Sequence, residues 1–164
     1  MLIFLFGLPG SGKNYVGNIF QEEFDFYFHD ADSDLTPKFK QFISNGIIAP
    51  DEIRDDYYNL LISHIKELYR KHKRIVVADV LLKEKHRKLM QSHFPNAYFI
   101  LLNCNPSILD SRLKERKHFV SKDYAIKFRS IFEPPTIKHI KFSNNKNGNE
   151  GIVKQIKDVL SIAN

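Results

Sequence analysis

Cysteine is nearly absent from this chain: Cys104 is the only one in 164 residues. An intrachain disulfide and a cysteine-rich zinc site are thereby excluded, and the scarcity favours a reducing, cytoplasmic setting. Long hydrophobic runs are lacking too. The apolar stretch at residues 1–6 falls far short of the roughly 20 residues of a membrane span. It has no basic segment ahead of it and no small-residue cleavage site after it, so it reads as a buried strand and not as a secretory signal. There is no internal repeat and no linker, and the one low-complexity stretch, residues 144–149, has only the length of a loop. No basic motif interleaved with aromatics occurs. That argues against nucleic acid as a partner in spite of a formal net charge of +6.

What is present suits one soluble domain over residues 1–164. A hydrophobic fraction of 43% against 27% charged residues is enough for a core without staples. Short apolar runs alternate with longer amphipathic segments. Strands are expected at 2–6, 24–29, 75–78, 98–102 and 138–142. Helices are expected at 13–23, after the Thr36-Pro37 start, at 51–72, 83–92, from Asn105-Pro106 onward, 121–132 and 151–162. Five strands with helical crossovers predict a three-layer α/β/α fold around a parallel sheet.

The strongest chemical signal follows the first strand. Gly7-Leu8-Pro9-Gly10-Ser11-Gly12-Lys13-Asn14 matches G-x-x-x-x-G-K. Glycines let backbone N–H groups converge on phosphate oxygens, and the next helix points its positive end at the same place. Lys13 is then expected to reach the β- and γ-phosphates of ATP, with the loop through Asn14 and Tyr15 as further nucleotide contacts. The pattern departs at Asn14, where Ser or Thr supplies the hydroxyl that ligates Mg²⁺. Three readings stay open: Asn14 substitutes for the hydroxyl, the metal is held through water and an acid elsewhere, or catalysis is impaired. The candidate acid is Asp79, at the end of the 75–78 strand; its alternative is a turn or helix cap.

A phosphoryl acceptor needs a positioned carboxylate. Asp30, Asp32 and Asp34 follow the second strand at the sheet's carboxyl edge, where open α/β folds bind ligands, and Asp32 is the expected acceptor-side residue. Arg54 sits in the first turn of the long helix, against the helix dipole, which points to an anionic ligand. Lys83 and Arg87 share one helix face and are candidates for the same anion or for a solvated surface. Arg112 and Arg116 form a second pair ahead of a short lid near 116–122. They suit triphosphate binding and charge neutralisation in the transition state, or ordinary charge at a helix C-terminus. His118 is a further candidate substrate contact.

Over most of its length the chain resembles the gluconate kinase family of small P-loop kinases. The family's D-G-D before H-P is similar to Asp30-Ala31-Asp32 before Thr36-Pro37. Its G-x-P-L-x-D-x-D-R resembles the segment from Gly46 to Arg54, and its S-A-L-K-x-x-Y-R resembles Val80 to Arg87. Its R-L-x-x-R-x-G-H-F is similar to Arg112 through Phe119, one glycine short. The resemblance implies a P-loop, nucleoside-monophosphate-kinase-like fold and ATP-dependent, Mg²⁺-assisted phosphorylation of a hydroxyl on gluconate or a related sugar acid. It implies Asp32 as the acceptor-side base, Arg54 and Arg87 as substrate contacts and Arg116 as a lid arginine. The alternatives are a kinase for another metabolite, such as a nucleoside monophosphate or a shikimate-like acid, or a nucleotide-binding module with impaired catalysis. The expected partner is a small anionic substrate, with a homodimer left open and no membrane.

Overall fold

A computed structural model describes residues 1–115, 122–145 and 148–162. The strands are β1 (Leu2–Phe6), β2 (Tyr27–Asp30), β3 (Ile75–Ala78), β4 (Tyr98–Asn103) and β5 (Ile140–Ser143). The helices are α1 (Lys13–Phe24), α2 (Pro37–Ser44), α3 (Asp51–Lys71), α4 (Glu84–His93), α5 (Pro106–Glu115), α6 (Lys122–Ile131) and α7 (Glu150–Ile162). All strand pairs are parallel and the order is β2-β3-β1-β4-β5, as the alternating pattern predicts. Among the described residues, no helix is long and apolar enough to cross a membrane.

The sheet is apolar on both sides because both sides are covered. Along β1, Leu2, Phe4 and Phe6 enter one core with Ile53, Leu61, Met90 and Phe128 of α3, α4 and α6. The alternate residues Ile3 and Leu5 enter the other, with Val16, Phe20, Ile156 and Val159 of α1 and α7. The period of two along a strand thus assigns each β1 side chain to a layer.

Local signals set the element ends. Thr36 caps α2, its hydroxyl accepting from the Phe39 N–H at 3.1 Å, with Pro37 in the first turn. The second strand starts three residues later than the apolar run predicts. Phe24 still belongs to α1, Asp25 turns left-handed at φ 57°, and the Phe26 N–H closes back on the Phe20 carbonyl at 3.2 Å. An unforeseen 3₁₀ turn, Ala31–Asp34, follows β2; Asp30 caps it by accepting from the Asp32 N–H at 3.1 Å. The 121–132 helix is present as α6, while its expected cap, Ser121, lies outside the described residues.

Placing β1 between β3 and β4 brings the loops after β1, β2 and β3 together at one edge of the sheet. The chain returns from one side of β1 to the other there, which is where a ligand crevice forms in such sheets.

Close packing of α1 on β2 requires Gly17. A Cβ at this position would stand 2.3 Å from Cε2 of the Phe28 ring. Gly17→Ala therefore trades about 1 kcal/mol of gained helix propensity against an overpacking cost of about 1–3 kcal/mol. Urea titration should show a net loss of stability; a gain would mean that the Phe28 ring swings aside freely.

Candidate active site

The loop between β1 and α1 is shaped to hold an anion. Gly7, Gly10 and Gly12 all have positive φ, and at Gly12 (φ 91°) a Cβ would lie 2.2 Å from Nδ2 of Asn144. Gly12 offers no side-chain cap to α1, so the first-turn amides of that helix remain for a ligand. Lys13 folds over the loop, its ammonium donating to the carbonyls of Gly7 at 3.0 Å and Leu8 at 3.3 Å. Asn144, from the segment after β5, donates to the Ser11 carbonyl at 2.8 Å and locks the loop from behind. The bare, tightly turned backbone with a lysine at its helical end fits a nucleotide triphosphate.

In front of the loop lies a cavity of about 530 Å³, within the range of small-molecule sites. Lys13, Asn14, Asp30, Asp32, Arg54 and Asp79 line it, joined by apolar side chains of α2, α5 and α6. The structure thus brings together the predicted phosphate loop, the predicted acceptor acid Asp32 and Arg54. Arg54 is 3% exposed. Its Nε donates to the Ala49 carbonyl at 3.0 Å and its guanidinium lies between the rings of Phe39 and Phe128, 5.5 and 5.6 Å from their centroids. Its Nη2 is buried without a hydrogen-bond partner. An unpaired buried donor on a cation is costly, and an anionic ligand in the cavity would remove that cost.

Asp79 stands at the end of β3 as predicted, but its carboxylate is already engaged. Oδ2 accepts from the Tyr57 hydroxyl at 2.9 Å, and Oδ1 accepts from the Tyr58 hydroxyl at 2.8 Å and the Leu81 N–H at 2.6 Å. Burial, with the Asp79 charge second, pushes both phenols well above the ordinary tyrosine range, so they remain protonated donors. Leu81 itself takes a left-handed φ of 43°, a conformation its hydrogen bond to Asp79 supports. Asp79 therefore organises the cavity floor. The carboxylate beside Asn14 is that of Asp30, whose Oδ2 accepts from the Asn14 amide. An amide paired with a carboxylate at the cavity edge offers the oxygen ligands a Mg²⁺ ion needs beside phosphates.

Two expected substrate contacts do not reach the cavity. Arg87 is fully buried, its Nη2 donates to the Leu82 and Glu133 carbonyls, and its Nε pairs with Glu84 at 2.8 Å. It joins α4 to the segment after α6. Lys83 pairs with Asp51 at the start of α3. Lys83 precedes the first residue of α4 and Arg87 lies within it, and their spacing does not tell which layer either side chain meets. Tyr15 is 41% exposed on α1 and is not among the residues lining the cavity. Arg112 stands near the loop instead, with Nη1 3.5 Å from Sγ of Cys104 and beside Gly12. Arg116, His118 and the expected lid near 116–122, apart from Lys122 at the start of α6, lie outside the described residues. Sequence reading missed Lys40, Tyr58 and Tyr124 as cavity residues. The helical period could have placed Lys40 next to Ile43, one turn later on α2, whereas Tyr124 carries no local signal.

The AAA domain family matches residues 3–128. The chain belongs to this family. Among curated relatives it is similar to a "Probable gluconokinase" of Dictyostelium discoideum, 27% identical with 98% of this chain and 86% of the relative covered. It is also similar to the "Thermoresistant gluconokinase" of Escherichia coli K12, 27% identical over 79% of this chain and 75% of the relative. Among solved structures, a sugar kinase from Janibacter superposes with a TM-score of 0.85 at 19% identity, over 99% of this chain and 95% of that one. The AAA-domain chain is thus a gluconokinase-like small P-loop kinase, with the cavity in front of its phosphate loop as the candidate active site.

Behind the cavity floor, the ring of His86 lies 4.2 Å from that of Tyr58, and its Nε2 donates to Asp55 at 2.7 Å. Burial holds this imidazole below the ordinary histidine pKa, only partly offset by Asp55. The ring therefore takes up a proton less readily when folded than when unfolded. Stability is full above the unfolded value of about 6.5 and falls as pH drops from there through the lower folded value. Thermal melts of wild type and His86→Gln between pH 7.5 and 5.5 should show a steeper loss for wild type. Parallel curves would assign the pH dependence to other groups.

Proposed function

We propose that this kinase transfers the γ-phosphoryl group of ATP to a hydroxyl of gluconate or a closely related sugar acid. The observation that carries the proposal is Arg54, whose buried guanidinium has an unpartnered Nη2 and which lines the same cavity as Lys13 and Asp32. A carboxylate on the acceptor supplies the missing partner through a charge-assisted hydrogen bond. The names of the curated relatives support gluconate as that acceptor.

In this reading the loop amides and Lys13 hold the triphosphate and offset charge that builds on the transferring group. Arg54 anchors the acid end of the acceptor, and the apolar side chains around it exclude water. Asp32 orients the attacking hydroxyl and receives its proton as the new P–O bond forms and the bond to ADP breaks. Arg112 faces the nucleotide side, and Arg116 with His118 would close over the phosphates and the substrate. Asn14 with Asp30 would hold Mg²⁺, which would supply neutralisation of the phosphate charge.

The test is ADP release with ATP, Mg²⁺ and a panel of acceptors: gluconate, related sugar acids, shikimate and nucleoside monophosphates. Turnover should depend on a sugar acid. Arg54→Met should raise KM for that acid about 10–100-fold, the equivalent of about 1.5–3 kcal/mol, with KM for ATP little changed. Asp32→Asn should lower kcat about 100-fold or more with the acceptor still bound. Turnover with another member of the panel alone, or with none, would overturn the assignment.

A further inference from the structure

Behind the acceptor side of the cavity, three side chains from three different elements converge outside the proposed reaction. His29 comes from β2, Asp34 ends the 3₁₀ turn and His64 lies in the middle of α3. Nε2 of His29 is 2.6 Å from Oδ2 of Asp34, and Nδ1 of His64 is 2.8 Å from Oδ1 of the same carboxylate. The two imidazoles meet edge to face with centroids 4.9 Å apart. One donor atom from each residue lies within 4.8 Å of the other two.

We propose that His29, Asp34 and His64 form a binding site for a first-row transition metal ion of the Zn²⁺ type, separate from the Mg²⁺ that accompanies ATP. Two imidazole nitrogens and one carboxylate oxygen are a common three-ligand set for such ions, which leaves a position for water. The burial matches: His29 is 6% exposed, whereas the His64 side chain is 40% exposed and opens the cluster to solvent. Tetrahedral ligands at about 2.0–2.1 Å from an ion stand about 3.3 Å apart, so Asp34 would withdraw from both rings while the donor atoms, now within 4.8 Å of one another, would draw together to that spacing. Each imidazole would turn its lone pair toward the ion and carry its proton on the other ring nitrogen. Mg²⁺ prefers all-oxygen shells with retained waters and is a poor competitor for imidazoles.

The site would act on the turn that carries Asp32. Asp34 and Asp32 share that turn, which otherwise depends on the Asp30 cap and the Tyr57 hydroxyl at the Ala31 carbonyl. A metal ion would pin its far end to β2 and α3, so its effect belongs with the acceptor and not with ATP.

Calorimetric titration of chelator-stripped full-length protein with Zn²⁺, in millimolar Mg²⁺, tests the proposal. One equivalent should bind and raise the melting temperature. Co²⁺ in its place should give visible d–d bands of a four- or five-coordinate ion without a thiolate charge-transfer band. His64→Gln and Asp34→Asn, each checked for folding by circular dichroism, should weaken binding at least tenfold and abolish the melting shift. If one variant fails to fold, the other and the wild-type Co²⁺ spectrum still decide. No stoichiometric binding, a thiolate band, or unchanged affinity in a folded variant would overturn the site and leave a hydrogen-bonded His–Asp–His cluster.

Discussion

The carboxylate of Asp79 is the point from which the cavity is hung. It is a buried charge at the end of β3, and three donors surround it: two tyrosine hydroxyls of α3 and the N–H of Leu81. A buried carboxylate deprived of such partners is strongly unfavourable, so the network is high-stakes and holds its members in one arrangement. The one proton of the Tyr57 hydroxyl is shared between Asp79 and the Ala31 carbonyl, whose oxygen lies 3.0 Å away. One tyrosine therefore ties together β3, α3 and the turn bearing Asp32. Arg54 stands one helical turn before Tyr58 on the same helix, so fixing the tyrosines also fixes the cation. The two sides of a bimolecular reaction need this mutual positioning more than they need any single strong contact.

Two buried arginines show how the fold separates structural from available charge. Arg87 gives both Nη atoms to carbonyls and pairs with Glu84 through Nε, and it works as a rivet between α4 and the segment after α6. Arg54 has one carbonyl and two aromatic rings, with Nη2 left over. Both are inside the protein, and only the second faces the cavity. The cations that line the cavity are Lys13, Lys40 and Arg54, set against the carboxylates of Asp30, Asp32 and Asp79. Other cations are absorbed by local partners, as Lys83 and Lys85 are by Asp51 and Asp55.

Much of this was legible in the chain because its signals are local. The all-apolar β1 and β3, the Thr36-Pro37 helix start and the glycine pattern before Lys13 depend on neighbours a few residues away. So does the unusual place of Arg54 at a helix N-terminus, a residue that the structure puts on the cavity wall. What the chain leaves open shares one cause. The spacing of Arg87 from Lys83 suits an anion or a solvated face, with the substrate role implied by the family resemblance, and Asp79 after a central strand suits a metal ligand or a turn cap. Neither inference could see the partners, Glu133 in one case and the α3 tyrosines in the other, which are distant in sequence.

The sequence by itself determined the α/β alternation, the phosphate loop and the shortlist of charged residues, because periodicity, backbone freedom and helix dipoles act over a turn or two of chain. Only the tertiary structure decided which of those charges are spent inside the fold and which face the cavity. It alone set Asn144 against the loop 133 residues earlier. It alone gathered His29, Asp34 and His64, from one strand, one turn and one helix. Burial and hydrogen-bond completion are properties of packed neighbours, and packing joins residues that no local pattern connects.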